Sequence, residues 1–361
     1  TPPGDKSISH RALILNSIAK GGARIENLAA GDDVYSTMSC LQALGVEITD
    51  SGGIYSVSGL GSKGFAEPTE VLNAGNSGTT MRLLSGLLAA QPFLSIITGD
   101  QSLRARPMDR LIQPLRSMGA EIWGRGSDSL APLAIRGGNL NGIHYTLPVA
   151  SAQIKSAILI AALFAKGNTT VEEPVQSRDH TELILGAMGV KLEHEGARIE
   201  LIPSSSLSPV DIRVPGDISA AACWLIAGAI HPNARIRILN TGINPTRTGI
   251  IDVLKKMGAR IEVDGVRRES GELVADLSVE SSDLVATQIR GSLIPRLIDE
   301  IPLLALAGSF ARGTTTIADA QELRIKESDR IGATVRELMK LGVDIEELPD
   351  GMVIRGRGGL A

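Results

Sequence analysis

Cysteine is nearly missing from the sequence. Cys40 and Cys223 are the only two in 361 residues, they lie far apart, and they match no metal-ligand spacing. A disulfide framework and a thiolate zinc site are thereby excluded, and a reducing compartment fits. Aromatic residues make up only 2% of the chain, so stacking platforms for nucleic-acid bases are wanting. A formal net charge of −4 provides no general basic field for nucleic acid. Any preference for anions must therefore be local. Long apolar runs are lacking too: the longest, 157–165, is too short to span a bilayer, and no signal-type segment opens the sequence. The expected location is the cytoplasm, with neither a membrane nor a nucleic acid as partner.

What is present is an ordinary globular composition, 43% hydrophobic and 21% charged, in a chain long enough for two domains. It also contains a repeat. The phrase Leu-x-x-(Leu/Met)-Gly-(Val/Ala)-x-(Ile/Leu) occurs five times, as LQALGVEI, LRSMGAEI, LGAMGVKL, LKKMGARI and LMKLGVDI, centred on Gly45, Gly119, Gly189, Gly258 and Gly342. A glycine after a periodic apolar segment ends a helix in the left-handed conformation, and the alternation that follows reads as a strand. Turn signals such as TDSGG (49–53) and LPDG (348–351) continue that strand into a hairpin. Upstream of each junction lie another strand and a small-residue apolar helix. Each unit is thus helix, strand, helix, hairpin, an α/β (α+β) arrangement on mixed sheets.

The Ser/Pro-rich stretch at 201–214 separates three units from two. The expected domains are 1–212, with three units, and 213–361, with two. An odd count implies a missing third unit in the second domain. The chain also opens in a pre-helix loop, so the first unit is expected to lack its leading strand, and the sequence reads as a fragment at both ends.

Aligning the units shows polar residues recurring at helix starts: Lys6, Ser7 and Arg11; Asn76 to Thr79 and Arg82; Ser151, Gln153 and Lys155; Asp217 and Ser219; Asp299 and Glu300. The second helices begin near Asp32 and Asp33, Arg104 and Arg106, Ser177, Arg178 and His180, Thr246 and Arg247, and Lys326, Glu327 and Arg330. Helix N-termini attract anions, whereas cations there oppose the helix dipole. The repetition of Lys6, Arg106, Arg178 and Arg330 is better explained by bound phosphates or carboxylates than by helix stability. The stretch NAGNSGTTMR (73–82) can cradle an anion through backbone N–H groups, although it is not a nucleotide-binding P-loop. Asp299 and Glu327 are carboxylates set among cations, suited either to proton transfer or to plain salt bridges. His10 and His180 read as structural groups outside the catalytic set.

The stretches PGDKSISHRALIL, GNSGTTMRLLSG, RARPMDRLIQPLRSMGA, VASAQIKSAILIAAL, SRDHTE, IDEIPLLALA and LRIKESDRI, in this order from Pro3 to about Arg357, closely resemble the 5-enolpyruvylshikimate-3-phosphate synthase family in its bacterial form. The resemblance implies a two-domain enolpyruvyl transferase fold of six βαβαββ units, five of them present here, with the active site in the cleft between domains. It implies transfer of the enolpyruvyl group of phosphoenolpyruvate to the 5-hydroxyl of shikimate 3-phosphate, releasing phosphate through a tetrahedral intermediate. It further implies a monomer that needs no metal and no organic cofactor.

By the same resemblance, Lys6, Ser7, Arg11, Ser151, Ala152, Gln153, Arg178, Asp299 and Lys326 meet shikimate 3-phosphate. Lys6, Gly78, Arg106, Gln153 and Arg330 meet phosphoenolpyruvate, with the inhibitor glyphosate against Gly78. Asp299 is the base on the 5-hydroxyl, and Glu327, with Lys6, exchanges protons at the methylene carbon. The family's closing Asp-His-Arg motif and a later Lys lie beyond this sequence, and Glu322 stands where some members have a substrate-contacting Asn. Alternatives are UDP-N-acetylglucosamine enolpyruvyl transferase, whose loop cysteine neither Cys40 nor Cys223 matches, a non-catalytic phosphometabolite-binding fragment, and a repeat scaffold for protein partners.

Overall fold

A computed structural model describes residues 1–62, 64–204 and 206–358. The chain divides into two compact units. The first comprises Gly4–Val214 with Glu269–Gly271; the second comprises Thr1–Pro3, Pro215–Arg268 and the described chain from Glu272 onward.

The first unit is three copies of one motif. Helices Lys6–Ile18, Gly78–Leu88 and Ala152–Ala162 each lead into a strand, Lys20–Glu26, Leu94–Thr98 and Thr169–Glu172 respectively. Second helices Asp32–Ala43, Asp109–Met118 and His180–Ala187 follow, and each ends before an antiparallel hairpin. The glycines that punctuate the sequence repeat carry positive φ angles of 92° at Gly45, 111° at Gly119 and 89° at Gly189. Glycine adopts that region without the Cβ penalty, which turns the chain from helix to strand.

The two helices of each repeat differ in burial for a compositional reason. Leu13, Ile14, Leu15, Leu84, Leu87, Ile158 and Leu159 on the first helices are fully buried, because small and aliphatic residues surround these helices on all sides. At Gly86 a Cβ would meet the Ala157 carbonyl oxygen at 2.3 Å, so only glycine lets helices Gly78–Leu88 and Ala152–Ala162 approach so closely. The second helices are amphipathic. Asp109–Met118 buries Leu111, Ile112, Leu115 and Met118 and leaves Arg116 toward solvent.

Each sheet in this unit has four strands, with a short leading strand parallel to the first long one. Leu72–Asn73 and His144–Thr146 lead the second and third repeats. The first repeat was expected to lack this strand; instead Ile212–Arg213 fills the place, with Ile25 opposite Ile212. The expectation failed because the partner comes from the far end of the unit, where local sequence gives no sign of it.

The second unit holds two such motifs. Helix Ile218–Ile230, strand Arg235–Gly242, helix Gly249–Lys256 and strands Arg260–Glu269 and Glu272–Glu280 form the first, on a three-stranded sheet. Gln288–Ile289, helix Ile301–Phe310, strand Arg312–Ile317, helix Arg330–Lys340 and hairpin Asp344–Leu348/Gly351–Arg357 form the second, on a four-stranded sheet. Its core joins residues of both motifs, among them Leu225, Leu254, Leu277, Leu304 and Ile354.

Candidate active site

In the first unit the polar residues of the sequence gather at the starts of the buried helices. Asp5 caps helix Lys6–Ile18 by accepting from the Ile8 N–H, Ser77 caps Gly78–Leu88 through the Thr80 N–H, and Ser151 caps Ala152–Ala162 through the Ile154 N–H. A cap satisfies one of the free N–H groups, and the others remain directed outward with the positive end of the helix dipole. Lys6 is the first residue of its helix, exposed, with its Nζ 3.0 Å from Asp33 Oδ2.

Ser7, Arg11 and Arg178 form one group. Arg11 is buried and donates from Nε to Thr181 Oγ1 (2.7 Å), from Nη2 to Ser156 Oγ (2.8 Å) and from Nη1 to the Ser7 carbonyl (2.8 Å). Arg178 reaches Ser7 Oγ at 3.4 Å. Gly78, Gln153 and Arg106 form a second group through Arg82, which donates to Gln153 Oε1 at 2.9 Å and to the Gly78 carbonyl at 3.4 Å. The Gln153 amide in turn donates to Thr79 Oγ1 at 2.8 Å. A Cβ placed on Gly78 would meet Arg82 Nη1 at 2.5 Å and Arg106 Nη1 at 3.3 Å, so two guanidinium groups flank this helix start. Arg106 is anchored on Asn76 Oδ1, and the Asn76 amide donates to Asp100 Oδ2 at 2.6 Å. That bond from Asn76, with one from the Leu103 N–H, holds the Asp100 carboxyl below its usual range.

Beneath the helix starts runs a chain of buried hydroxyls, with His10 Nδ1 2.7 Å from Thr37 Oγ1, Thr37 2.7 Å from Thr80, and Thr80 2.7 Å from Ser77 Oγ. Burial pulls the His10 pKa down to about 3, so the ring is neutral.

The second unit presents a different chemistry. Asp299 lies in a short 3-10 turn, Ile298–Glu300, that enters helix Ile301–Phe310. Arg330, the first residue of helix Arg330–Lys340, donates Nε to Glu327 Oε1 at 2.6 Å and Nη1 to Asp299 Oδ1 at 3.2 Å. One guanidinium therefore joins both carboxylates. Burial opposes its charge, but Glu327 and Asp299 outweigh that and raise its pKa. Lys326, half-buried, closes the preceding 3-10 turn Gln321–Ile325.

The placement of the cations departs from the sequence reading in two cases. Lys6 and Arg330 begin helices, whereas Arg106 precedes helix Asp109–Met118 and Arg178 precedes helix His180–Ala187. Pro107 explains the first, since a residue before proline is driven out of the helical region and Arg106 has ψ of 139°. In the second case Asp179 occupies the N-cap position. Sequence reasoning also left Arg82, Asn76 and Arg247 outside the site. Arg82 stands one helical turn beyond Gly78, a spacing that marks the same face. Arg247, buried, lies 3.6 Å from Asp299 Oδ2 and 3.4 Å from Glu300 Oε1, contacts between distant segments that no local pattern signals.

The family model for EPSP synthase (3-phosphoshikimate 1-carboxyvinyltransferase) matches residues 1–359. The chain belongs to the EPSP synthase family. A 3-phosphoshikimate 1-carboxyvinyltransferase of Bacillus cytotoxicus is 54% identical over 354 residues, covering 98% of this chain and 84% of the relative. One from Desulforudis audaxviator is 54% identical over 355 residues, covering 98% and 83%. The structure of EPSP synthase from Acinetobacter baumannii superposes with a TM-score of 0.88 at 43% identity, over 99% of this chain and 81% of that one.

Membership in the EPSP synthase family carries the two-domain enolpyruvyl transferase fold and a place among transferases of alkyl or aryl groups, in the shikimate pathway. The UDP-N-acetylglucosamine alternative is not favoured. Cys40 is buried in helix Asp32–Ala43 with its thiol pushed up to about 12 by burial, and Cys223 is on helix Ile218–Ile230. Among the described residues no group of three or more His, Cys, Asp or Glu is placed to hold a metal ion, and no helix is long and apolar enough to cross a membrane.

Proposed function

We propose that this chain transfers the carboxyvinyl group of phosphoenolpyruvate to the 5-hydroxyl of shikimate 3-phosphate with the residues described above in distinct roles. Ser7, Arg11, Ser151, Ala152, Gln153, Arg178 and Lys326 hold shikimate 3-phosphate; Lys6, Gly78, Gln153, Arg106 and Arg330 meet phosphoenolpyruvate, and Lys6 and Asp299 also meet shikimate 3-phosphate. Asp299 takes the proton of the 5-hydroxyl as its oxygen bonds to C2 of phosphoenolpyruvate, while Glu327, assisted by Lys6, delivers a proton to the methylene carbon. The adduct collapses when Glu327 takes back a proton from the methyl group and the C2–O bond to phosphate breaks, the proton held by Asp299 passing to the departing phosphate.

The observation that carries this reading is Arg330 joined to both Asp299 and Glu327. One guanidinium thus orients both acid–base groups. The grouping of Arg82 and Arg106 around Gly78 supports the anion site. The reading takes 1–212 and 213–361 as the two domains and the protein as a cytoplasmic monomer, with light scattering to check the mass.

Calorimetry with shikimate 3-phosphate, followed by phosphate release on adding phosphoenolpyruvate, tests the assignment. Asp299→Asn is expected to bind shikimate 3-phosphate as the parent does and to release phosphate far more slowly. Undiminished release removes Asp299 from the catalytic role.

A further inference from the structure

The first unit buries a charge cluster that the reaction does not use. Lys155 Nζ is fully enclosed, 2.8 Å from Glu173 Oε2 and 2.8 Å from Glu182 Oε1, and both carboxylates are equally hidden. Burial alone would lower the pKa of this lysine, but Glu182 and Glu173 reverse that and raise it, so it stays charged. Enclosing three charges is costly, and an apolar replacement of similar volume often stabilises a fold as well or better. Stability by itself gives little reason for such a cluster.

Its connections give another reason. Glu173 accepts from the Ser177 N–H at Oε2 (3.1 Å) and from the Ser177 hydroxyl at Oε1 (2.5 Å), and Lys155 Nζ lies 3.4 Å from the Ser177 carbonyl oxygen. Arg178 is the next residue. Glu182 sits in the first turn of helix His180–Ala187, on the other side of Arg178 in the chain. The backbone carrying Arg178 is thus fixed before and after by groups that converge on one ammonium. Lys155 itself lies on the first turns of the helix that begins with Ser151–Gln153.

We infer that Lys155, Glu173 and Glu182 form a positioning device, which sets the Ser177–Arg178 backbone against the Ser151–Gln153 helix start and so aims the Arg178 guanidinium at the phosphate of shikimate 3-phosphate. The inference rests on the proposed role of Arg178. The three groups touch no substrate, and their effect is exerted through Arg178.

A double-mutant cycle with shikimate 3-phosphate as the titrant tests this. Ser177→Ala, which removes the hydroxyl bond to Glu173 and leaves the lysine paired, and the triple variant Lys155→Met/Glu173→Gln/Glu182→Gln are each made with and without Arg178→Gln. Expected is a weakening of shikimate 3-phosphate binding by about tenfold in Ser177→Ala and in the triple variant, with KM for phosphoenolpyruvate within about twofold. In the Arg178→Gln background the same changes should add almost nothing. Unaltered affinity in folded Ser177→Ala, or a full effect that persists without Arg178, overturns the inference, and the Ser177→Ala arm decides it even if the triple variant does not fold. If Arg178→Gln alone binds shikimate 3-phosphate as tightly as the parent, the site assignment itself fails and the inference falls with it.

Discussion

Arg106 of the first unit and Arg330 of the second are held in opposite ways. Arg106 in the first unit is fixed by Asn76, and the carboxylate of Asp100 stands one bond further back, behind the amide. Arg330 in the second unit is bonded directly to Glu327 and Asp299. A neutral acceptor orients a guanidinium and leaves its charge in place; a carboxylate orients it and cancels the charge. On the proposed function, one residue type therefore serves two ends: in the first unit it presents positive charge to an anion, and in the second it orients the carboxylates that move protons.

The largest effect should come from removing the base. Asp299→Asn is expected to lower kcat by on the order of 100-fold or more with little change in shikimate 3-phosphate affinity, and Glu327→Gln should behave alike. Phosphate-release kinetics decide it: equal turnover would mean that these carboxylates serve only to pair Arg330. Next comes a conversion of one style into the other. Asn76→Asp puts a carboxylate on Arg106, and KM for phosphoenolpyruvate should rise by roughly tenfold or more, the scale of one charge-assisted bond. An unchanged KM would show that the amide spacer is irrelevant.

A smaller effect concerns the hydroxyl chain beneath the first group. The pKa of His10 falls from 6.5 to about 3 on folding, by burial first, with Asp33 opposing. Between those values the unfolded chain takes up a proton that the native protein refuses. Stability should therefore be level in this respect above pH 6.5 and fall by about 1.4 kcal/mol per pH unit below it. Denaturation midpoints of the parent and His10→Gln, compared from pH 7 to 4, should converge as the pH drops. Parallel curves would show that the imidazole shares its protonation with the unfolded state.

The smallest effect expected is at Gly78. A methyl there crowds Arg82 Nη1 and Arg106 Nη1, both ends of flexible side chains that can yield, so Gly78→Ala should raise KM for phosphoenolpyruvate by only about fivefold, equivalent to about 1 kcal/mol. Glyphosate inhibition should weaken at least as much. Steady-state inhibition constants that do not rise would place the ligand away from this helix start.

Local features of the sequence carried much of this. Gly45, Gly119, Gly189, Gly258 and Gly342 all take positive φ, because the end of a helix constrains its own residue and needs no distant partner. The first-helix starts and hairpins were legible for the same reason. Contacts between remote segments were not. Lys155 reads as one more cation near a helix start, yet its side chain turns into the interior toward Glu173 and Glu182, and one-dimensional spacing cannot say which way a first-turn residue faces. Arg247 reads as one more polar residue at a helix start, and its carboxylate partners Asp217, Asp299 and Glu300 are thirty to fifty-odd residues away in the chain.

The strand Ile212–Arg213, last in the first unit and paired with the first strand of that unit, has a consequence for synthesis. The bond from the Asn27 side chain to the Val214 carbonyl joins residues 187 apart. A ribosome adding about 5–20 residues per second needs roughly 10–40 seconds to deliver that partner. During this interval Lys20–Glu26 waits with an open edge, the kind of surface on which neighbouring nascent chains can pair. The sheet of the first repeat gains its fourth strand only when Ile212–Arg213 emerges.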